Sequence, residues 1–232
     1  MKNYALTLLI VLFLGAFGGW ESNAQSSTST STYSSSSYQK VRLGLFFNPT
    51  LTWLKPTGAN IDKQKSRFGF NYGLLLDINI TDNYIIHTGL TIGQLYGGTL
   101  RYTQGGVDSS YTYKLDYIEI PLTFKLMTND IGQMRYWGQF GVVNSFRFKD
   151  QVILKDNTTG EVDETRDQPY GTGFYNLALQ VGGGVEFNVS GRTYLVFGII
   201  YRNGFIDQIK DNYRYPGKTF LNSLVFMTGV MF

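Results

Sequence analysis

His87 is the only histidine in a chain of 232 residues that has no cysteine. A thiolate metal site, a disulfide scaffold and a cysteine nucleophile are thereby excluded, and a histidine-rich metal centre has no ligands to draw on. A lipid hydrolase would need a histidine beside a serine or an acidic partner, whereas His87 is followed by Thr88 and Gly89. Gly182-Gly183-Gly184 has the composition of a phosphate-cradling loop, yet no Lys-Ser or Lys-Thr follows it and no helical pattern opens there. The balance of 20 Lys+Arg against 17 Asp+Glu, a net +3, is too small to argue for nucleic acid. The ionisable residues left to consider are Arg42, Asp77, His87, Glu119, Lys125, Arg147, Glu186 and Arg202. Their signs are mixed, as a buried set of mutually satisfying pairs requires. The expectation is a structural polar plug, with a narrow proton or ion path as the functional alternative. No catalytic residue, cofactor or metal ligand is assigned.

Two further stretches carry chemical groups. Lys149 to Gln168 holds Asp150, Asp156, Glu161, Asp163, Glu164 and Asp167 against Lys149, Lys155 and Arg166, six acids against three bases. It suits a weakly held divalent cation or a basic partner, although no EF-hand spacing is present. Phe205 to Lys218 mixes Phe205, Tyr213 and Tyr215 with Arg214 and Lys218, a composition suited to glycan or protein contact or to anchoring at an interface.

The elements that must position these groups have a period of two. Val41, Leu43, Leu45, Phe47, Leu51 and Trp53 alternate with Arg42, Gly44, Phe46, Asn48, Thr50 and Thr52. The same pattern sets Phe68 to Ile80 against Gly69 to Asn79, and Tyr84, Ile86, Leu90 and Ile92 against His87, Gly89, Thr91 and Gly93. Ile118, Ile120, Leu122, Phe124 and Leu126 oppose Tyr117, Glu119, Thr123 and Lys125. Four later runs repeat it, centred on Phe140, Val181, Gly198 and Phe226, with Gly198 and Arg202 placed inward. Eight strands result. Segments 81–83, 127–133 and 188–191 read as short turns, and 54–66, 97–110, 149–171 and 205–218 as long loops. One continuous aliphatic face and one face of Gly, Asn, Thr and charge is the reverse of a soluble ligand-binding barrel. The fold expected is all-β: an eight-stranded antiparallel transmembrane β-barrel, an up-and-down meander with both termini on the periplasmic side. Trp53, Phe68, Phe70, Tyr84, Tyr136 and Phe187 fall near strand ends, where aromatic girdles belong. The content of 27 Gly and 37 aromatics (17 Tyr, 17 Phe, 3 Trp) follows from a lipid-facing surface interleaved with a crowded lumen.

Ahead of the barrel, Lys2, the apolar run Ala5–Phe17 and the Asn23-Ala24 site have the form of a signal peptide over 1–24, cleaved after Ala24. Residues 25–40, nearly all Ser and Thr, read as a disordered leader. The barrel then occupies 41–232.

Tyr117-Ile118-Glu119-Ile120-Pro121-Leu122-Thr123-Phe124-Lys125 resembles the strand Y-[IL]-E-[IL]-P-L-x-x-K of the PorT-like outer-membrane β-barrel family of Bacteroidota. Tyr136-Trp137-Gly138-Gln139-Phe140-Gly141, Gly182-Gly183-Gly184-Val185-Glu186 and the ending Gly229-Val230-Met231-Phe232 are further points of resemblance, which covers 41–232. It implies residence in the outer membrane of a Gram-negative bacterium, contact with its lipid, and reading of the terminal Phe232 strand by the barrel-insertion machinery. Some members of that family serve the gliding-associated (type IX) secretion apparatus. On the residues themselves, Pro121 cannot donate to a ladder, so a bulge or a missed bond is expected there. The function expected is non-enzymatic, structural or partner-binding through loops 149–171 and 205–218 or the periplasmic side, with a secretion accessory as its specific form. A small-solute or ion pore is the alternative, and a membrane-embedded lipid-modifying enzyme comes after it.

Overall fold

Period-two alternation becomes, in a computed structural model, a wall of antiparallel strands. The structure describes residues 40–57, 61–104, 107–166, 171–209 and 217–232. The signal peptide and all of the Ser/Thr-rich leader except Lys40 lie outside these residues. The strands are β1 (Val41–Pro56), β2 (Ile61–Asn79), β3 (Tyr84–Gln104), β4 (Val107–Met127), β5 (Met134–Asp156), β6 (Val162–Arg166), β7 (Tyr175–Ser190), β8 (Thr193–Gly204) and β9 (Thr219–Met231). Each pairs with its sequence neighbour, except that β5 pairs with both β6 and β7, and β1 pairs with β9. Eight strands therefore close on themselves, and β6 is a short flap on the upper part of β5. Closure leaves no sheet edge facing lipid.

The two faces are inverted relative to a soluble protein. Leu43, Phe47, Leu74, Leu122, Phe140, Val181 and Ile199 are exposed on the outside, while Arg42, Asp77, Glu119, Lys125 and Glu186 are buried in the lumen. Every assignment made for the inward candidates, Gly198 and Arg202 included, has the parity expected from the alternation.

The long connections differ from expectation. Segments 54–66 and 97–110 are mostly strand, because β1 and β2, and also β3 and β4, run on as paired strands to Pro56 and Ile61 and to Gln104 and Val107. Likewise β5 continues to Asp156 and turns back into β6. The alternation Tyr111, Tyr113, Leu115, Tyr117 continues the luminal face, and these ladders extend it past any membrane. The 23 residues of β5, at about 3.3 Å each and a tilt of about 40°, rise about 58 Å, against an apolar band about 25 Å tall. The 12 residues of β8 rise only about 30 Å. The wall is thus tall over β2 to β5 and low over β7 to β9.

Bulges mark where strands leave the regular barrel: Lys63/Lys65 in β2, Gly93/Tyr96 in β3 and, opposite Asp116/Tyr117 of β4, Phe148 in β5. Leu95 has a φ of 60° within the second of these. At Pro121 the register does not shift. The β3–β4 ladder instead skips from Thr88↔Leu122 to Thr91↔Glu119, and the Thr88 hydroxyl donates to the Pro121 carbonyl at 2.7 Å. Of the two outcomes expected at Pro121, the missed bond occurs and the bulge does not. Pro49 acts similarly at the closing seam, where the β1–β9 ladder skips residues 47–49 and the Asn48 side chain accepts the Thr228 N–H at 2.8 Å.

Candidate functional site: the luminal charge network

Five strands send charged or ionisable side chains to one point in the lumen. Asp77 and His87 are register partners on β2 and β3, and Arg42 is the register partner of Asp77 on β1. Alternation aims all three inward, where they meet Lys125 of β4 and Glu186 of β7. Arg42 grips Glu186 through both terminal nitrogens, at 2.8 and 3.2 Å, and reaches Asp77 Oδ2 at 2.8 Å. Lys125 Nζ donates to Glu186 Oε1 at 2.6 Å and to Asp77 Oδ2 at 3.0 Å. His87 Nδ1 lies 2.5 Å from Asp77 Oδ1. The cations also rest on aromatic faces, Lys125 5.4 Å from the Trp137 ring centre and Arg42 5.8 Å from that of Tyr194. These side chains are buried to within a few per cent. In such surroundings an unpaired charge is costly and a compensated one is tolerated.

Glu119 does not join this cluster, although its strand carries Lys125. It pairs with Arg202 of β8 at 2.8 Å and accepts from Ser145 at 3.3 Å. Arg202 also donates to Gln180 at 3.2 Å. From Glu119 the chain continues through the Tyr96 hydroxyl at 3.4 Å to Asn71 at 2.7 Å, and from Asn71 to Asn48 at 2.8 Å. Two compensated layers result, with three cations (Arg42, Lys125, Arg202) against three carboxylates (Asp77, Glu119, Glu186). Arg147 is the exception among the sequence candidates. It stands higher in the lumen, paired with Asp150 at 2.5 Å, and donates to the carbonyls of Gly173 and Thr172 at 3.1 and 3.3 Å, so it pins a loop instead of joining the network.

Apolar packing closes the lumen around these layers. Phe46, Leu75, Ile85, Trp137, Val196 and Met231 pack at the end carrying the short turns. Above Glu119, the group Leu54, Ile61, Leu100, Tyr113, Leu115, Tyr117, Val152, Ile209 and Leu221 fills the lumen of the tall hairpins. Tyr117 donates to Gln208 at 2.8 Å, tying the chain after β8 across this upper plug. The glycines expected to relieve crowding do so: a Cβ on Gly198 would stand 2.4 Å from the Trp137 ring. A small cavity remains beside the Glu119–Arg202 pair on the side of the upper plug, lined by Tyr96, Glu119, Ser145, Asn176, Arg202 and Leu221. Gln139 and the Trp137 indole nitrogen, both buried, find no protein partner for their polar side-chain atoms.

The alternation puts Asn48, Asn71 and Gln180 on the luminal face without marking them as links of the network, and it marks neither Tyr96 nor the upper plug. Tyr96 escaped because the bulge at Gly93/Tyr96 reverses the parity of β3. The plug draws Leu54, Ile61 and Leu100 from segments 54–66 and 97–110, whose length reads as loop although their alternation continues that of the strands. Of the described acids of the 149–168 segment, Asp150 turns inward to Arg147 and Thr172, and Asp156 accepts the N–H groups of Thr158 and Thr159. Among the described residues no three His, Asp or Glu side chains converge to hold a metal. The side chains of Asp163 and Glu164, together with Asp167, Tyr213, Arg214 and Tyr215, lie outside the described set.

A closed eight-stranded wall, apolar outside and charged inside, is a membrane barrel. The outer membrane protein beta-barrel domain matches residues 23–210. The chain belongs to that outer-membrane β-barrel family. No curated protein sequence matches it. Among solved structures it is similar to Neisserial surface protein A, with 12% identity, 83% of this chain and 96% of that one covered, and a TM-score of 0.45. Outer membrane protein OprG from Pseudomonas aeruginosa gives 11%, 82%, 94% and 0.41 for the same quantities. The outer membrane enzyme PagL gives 10%, 79%, 97% and 0.34. For the family member described here, fold alone does not assign a role, so function must be argued from its own residues.

Proposed function

We propose that this outer-membrane barrel is a non-enzymatic protein with a closed lumen, which works through its outer surfaces rather than through a pore. One observation carries the reading: side chains from β1, β2, β3, β4 and β7 are cross-linked in the lumen, and an apolar plug fills the tall hairpins above them. A solute path would have to break several buried ion pairs at once. His87 and Asp77, the residue types a hydrolase would use, face the lumen and away from lipid, and Asp77 is already committed to Arg42 and Lys125.

Lys40, where the described barrel begins, and Phe232 sit at the end with short turns, so in this proposal both termini are periplasmic and the tall β2–β6 hairpins face outward as the surface for a protein partner. Phe232, held to β1 by its N–H donating to the Leu43 carbonyl at 2.8 Å, presents an exposed terminal ring for the insertion machinery. The resemblance of the Tyr117–Lys125 strand to PorT-like proteins supports a secretion accessory as the specific form. Single-channel recording in planar bilayers tests the closed lumen, with a silent bilayer expected. Sustained openings that change on Glu119→Ala would establish the pore instead. Intact-cell labelling tests sidedness: Thr158→Cys is expected to react with a membrane-impermeant maleimide and Gln133→Cys to be protected. Crosslinking in native membranes then asks whether a partner is captured through the hairpins, and a clean monomer would remove that part of the proposal.

A further inference from the structure

Outside the barrel, where β1, β9 and β8 meet near the upper end of the apolar band, Trp53 and Tyr201 approach each other with ring centroids 6.2 Å apart. Trp53 is the register partner of Asn222 and Tyr201 that of Leu224, so the two rings meet over β9. An indole and a phenol facing outward at this height mark the boundary between hydrocarbon and headgroups, since each has an apolar body and a polar tip. Lysines crowd the polar side of this boundary. Lys63 stands 5.0 Å from the Trp53 ring centre, Lys55 follows Trp53 two residues further along the same outward face, and Lys65 is exposed on the adjoining strand. Lys218 lies beside them, because its backbone pairs with Thr57 at the end of β1.

These lysines differ from the charges of the lumen. There Arg42, Lys125 and Arg202 are each paired with a carboxylate, and on the β3–β4 hairpin Arg101 is paired with Asp108. Lys55, Lys63 and Lys65 form no ion pair among the described residues; Asp62, the nearest acid in sequence, acts on Arg101. Excess positive charge directly above an interfacial aromatic pair fits an anionic headgroup whose acyl chains lie against the apolar wall below.

We infer that Trp53, Tyr201, Lys55, Lys63 and Lys65 form a binding site for a phosphate-bearing lipid of the leaflet next to the tall hairpins. The aromatic pair would pack on the glycerol or sugar region, and the ammonium groups would reach the phosphate as mobile point charges. Calling that leaflet the outer one rests on the orientation proposed above; the site itself does not.

The test uses the full barrel in nanodiscs of phosphatidylcholine containing one-tenth phosphatidic acid, with native mass spectrometry counting the lipids retained after release. Each lysine near the anionic group is expected to contribute about fivefold, so Lys55→Ala/Lys63→Ala/Lys65→Ala should lower preferential retention of phosphatidic acid on the order of a hundredfold. The triple arginine variant should keep it. Equal retention of the two lipids by the wild type, or a triple alanine variant that matches it, would overturn the inference. Displacement by millimolar inorganic phosphate would reassign the site to a soluble anion and equally overturn it. Both leaflets have one composition in this assay, so its failure is independent of the sidedness that maleimide labelling reports.

Discussion

Replacing Lys125 by methionine keeps the stem that crosses the Trp137 ring and removes one charge from the centre of the lumen. In the wild type, Arg42 and Lys125 together face Asp77 and Glu186, and Lys125 supplies the 2.6 and 3.0 Å bonds. Without it a single guanidinium faces two carboxylates that are both inaccessible to water. Removing one member of a buried pair costs about 3–5 kcal/mol, because the partner charge stays buried and uncompensated. With an m-value of about 2 kcal/mol per molar urea, the unfolding midpoint should fall by about 1.5–2.5 M. The assay is urea unfolding of the barrel in lipid vesicles, read by tryptophan fluorescence and by the electrophoretic mobility of unheated samples. Glu186→Gln in the same chain restores the charge balance, so the double variant should be milder than the sum of the singles by at least about 1 kcal/mol. A midpoint shift below about 0.5 M, or strict additivity, would refute the claim that these residues act as one compensated unit.

Two further outcomes follow from other parts of the wall. In Gly184→Ala the new Cβ would stand 1.9 Å from the Phe197 carbonyl oxygen and 2.7 Å from the Trp137 ring, so backbone must move; a loss of about 1–3 kcal/mol or more is expected in the same urea assay, whereas Gly138→Ala, whose Cβ would meet nothing nearer than the Gly182 carbonyl oxygen at 3.9 Å, should cost less. On the β3–β4 hairpin outside the membrane, the hydrogen bonds from Arg101, with Nε at 2.8 Å, and from Asn157 at 3.0 Å hold the Asp108 carboxyl down to about 2. A depressed carboxyl stabilises the hairpin fully above its unfolded value of about 3.9, and that contribution is lost as pH falls through about 2. Carbon-detected NMR titration of Asp108 should show the low midpoint in the wild type and a rise towards the ordinary value in Arg101→Gln; an ordinary midpoint in the wild type would mean the contact is absent in solution.

Much of this architecture is legible residue by residue. Arg42, Asp77, His87, Glu119, Lys125, Glu186 and Arg202 share the inward parity of their strands, and a closed wall of fixed parity has only one interior to send them to. Parity cannot say which of them meet. Glu119 and Lys125 look like natural partners on one strand, yet each finds its ion pair on another, Arg202 on β8 and Glu186 on β7. Height in the lumen depends on the stagger between strands, and bulges change it: the one at Gly93/Tyr96 alone reversed the parity of the upper β3.

What the sequence by itself determined is the alternation and therefore the class: lipid-facing aliphatics opposite a polar lumen, in strands that must close because lipid satisfies no backbone group. That information is local, carried by neighbours two positions apart. Only the tertiary structure decided the pairing of the charges, the extension of the presumed loops into tall hairpins, and the apolar plug of Leu54, Ile61, Leu100 and Leu115 that fills them. Those features depend on register between strands far apart in the chain, and register is a property of the closed barrel as a whole.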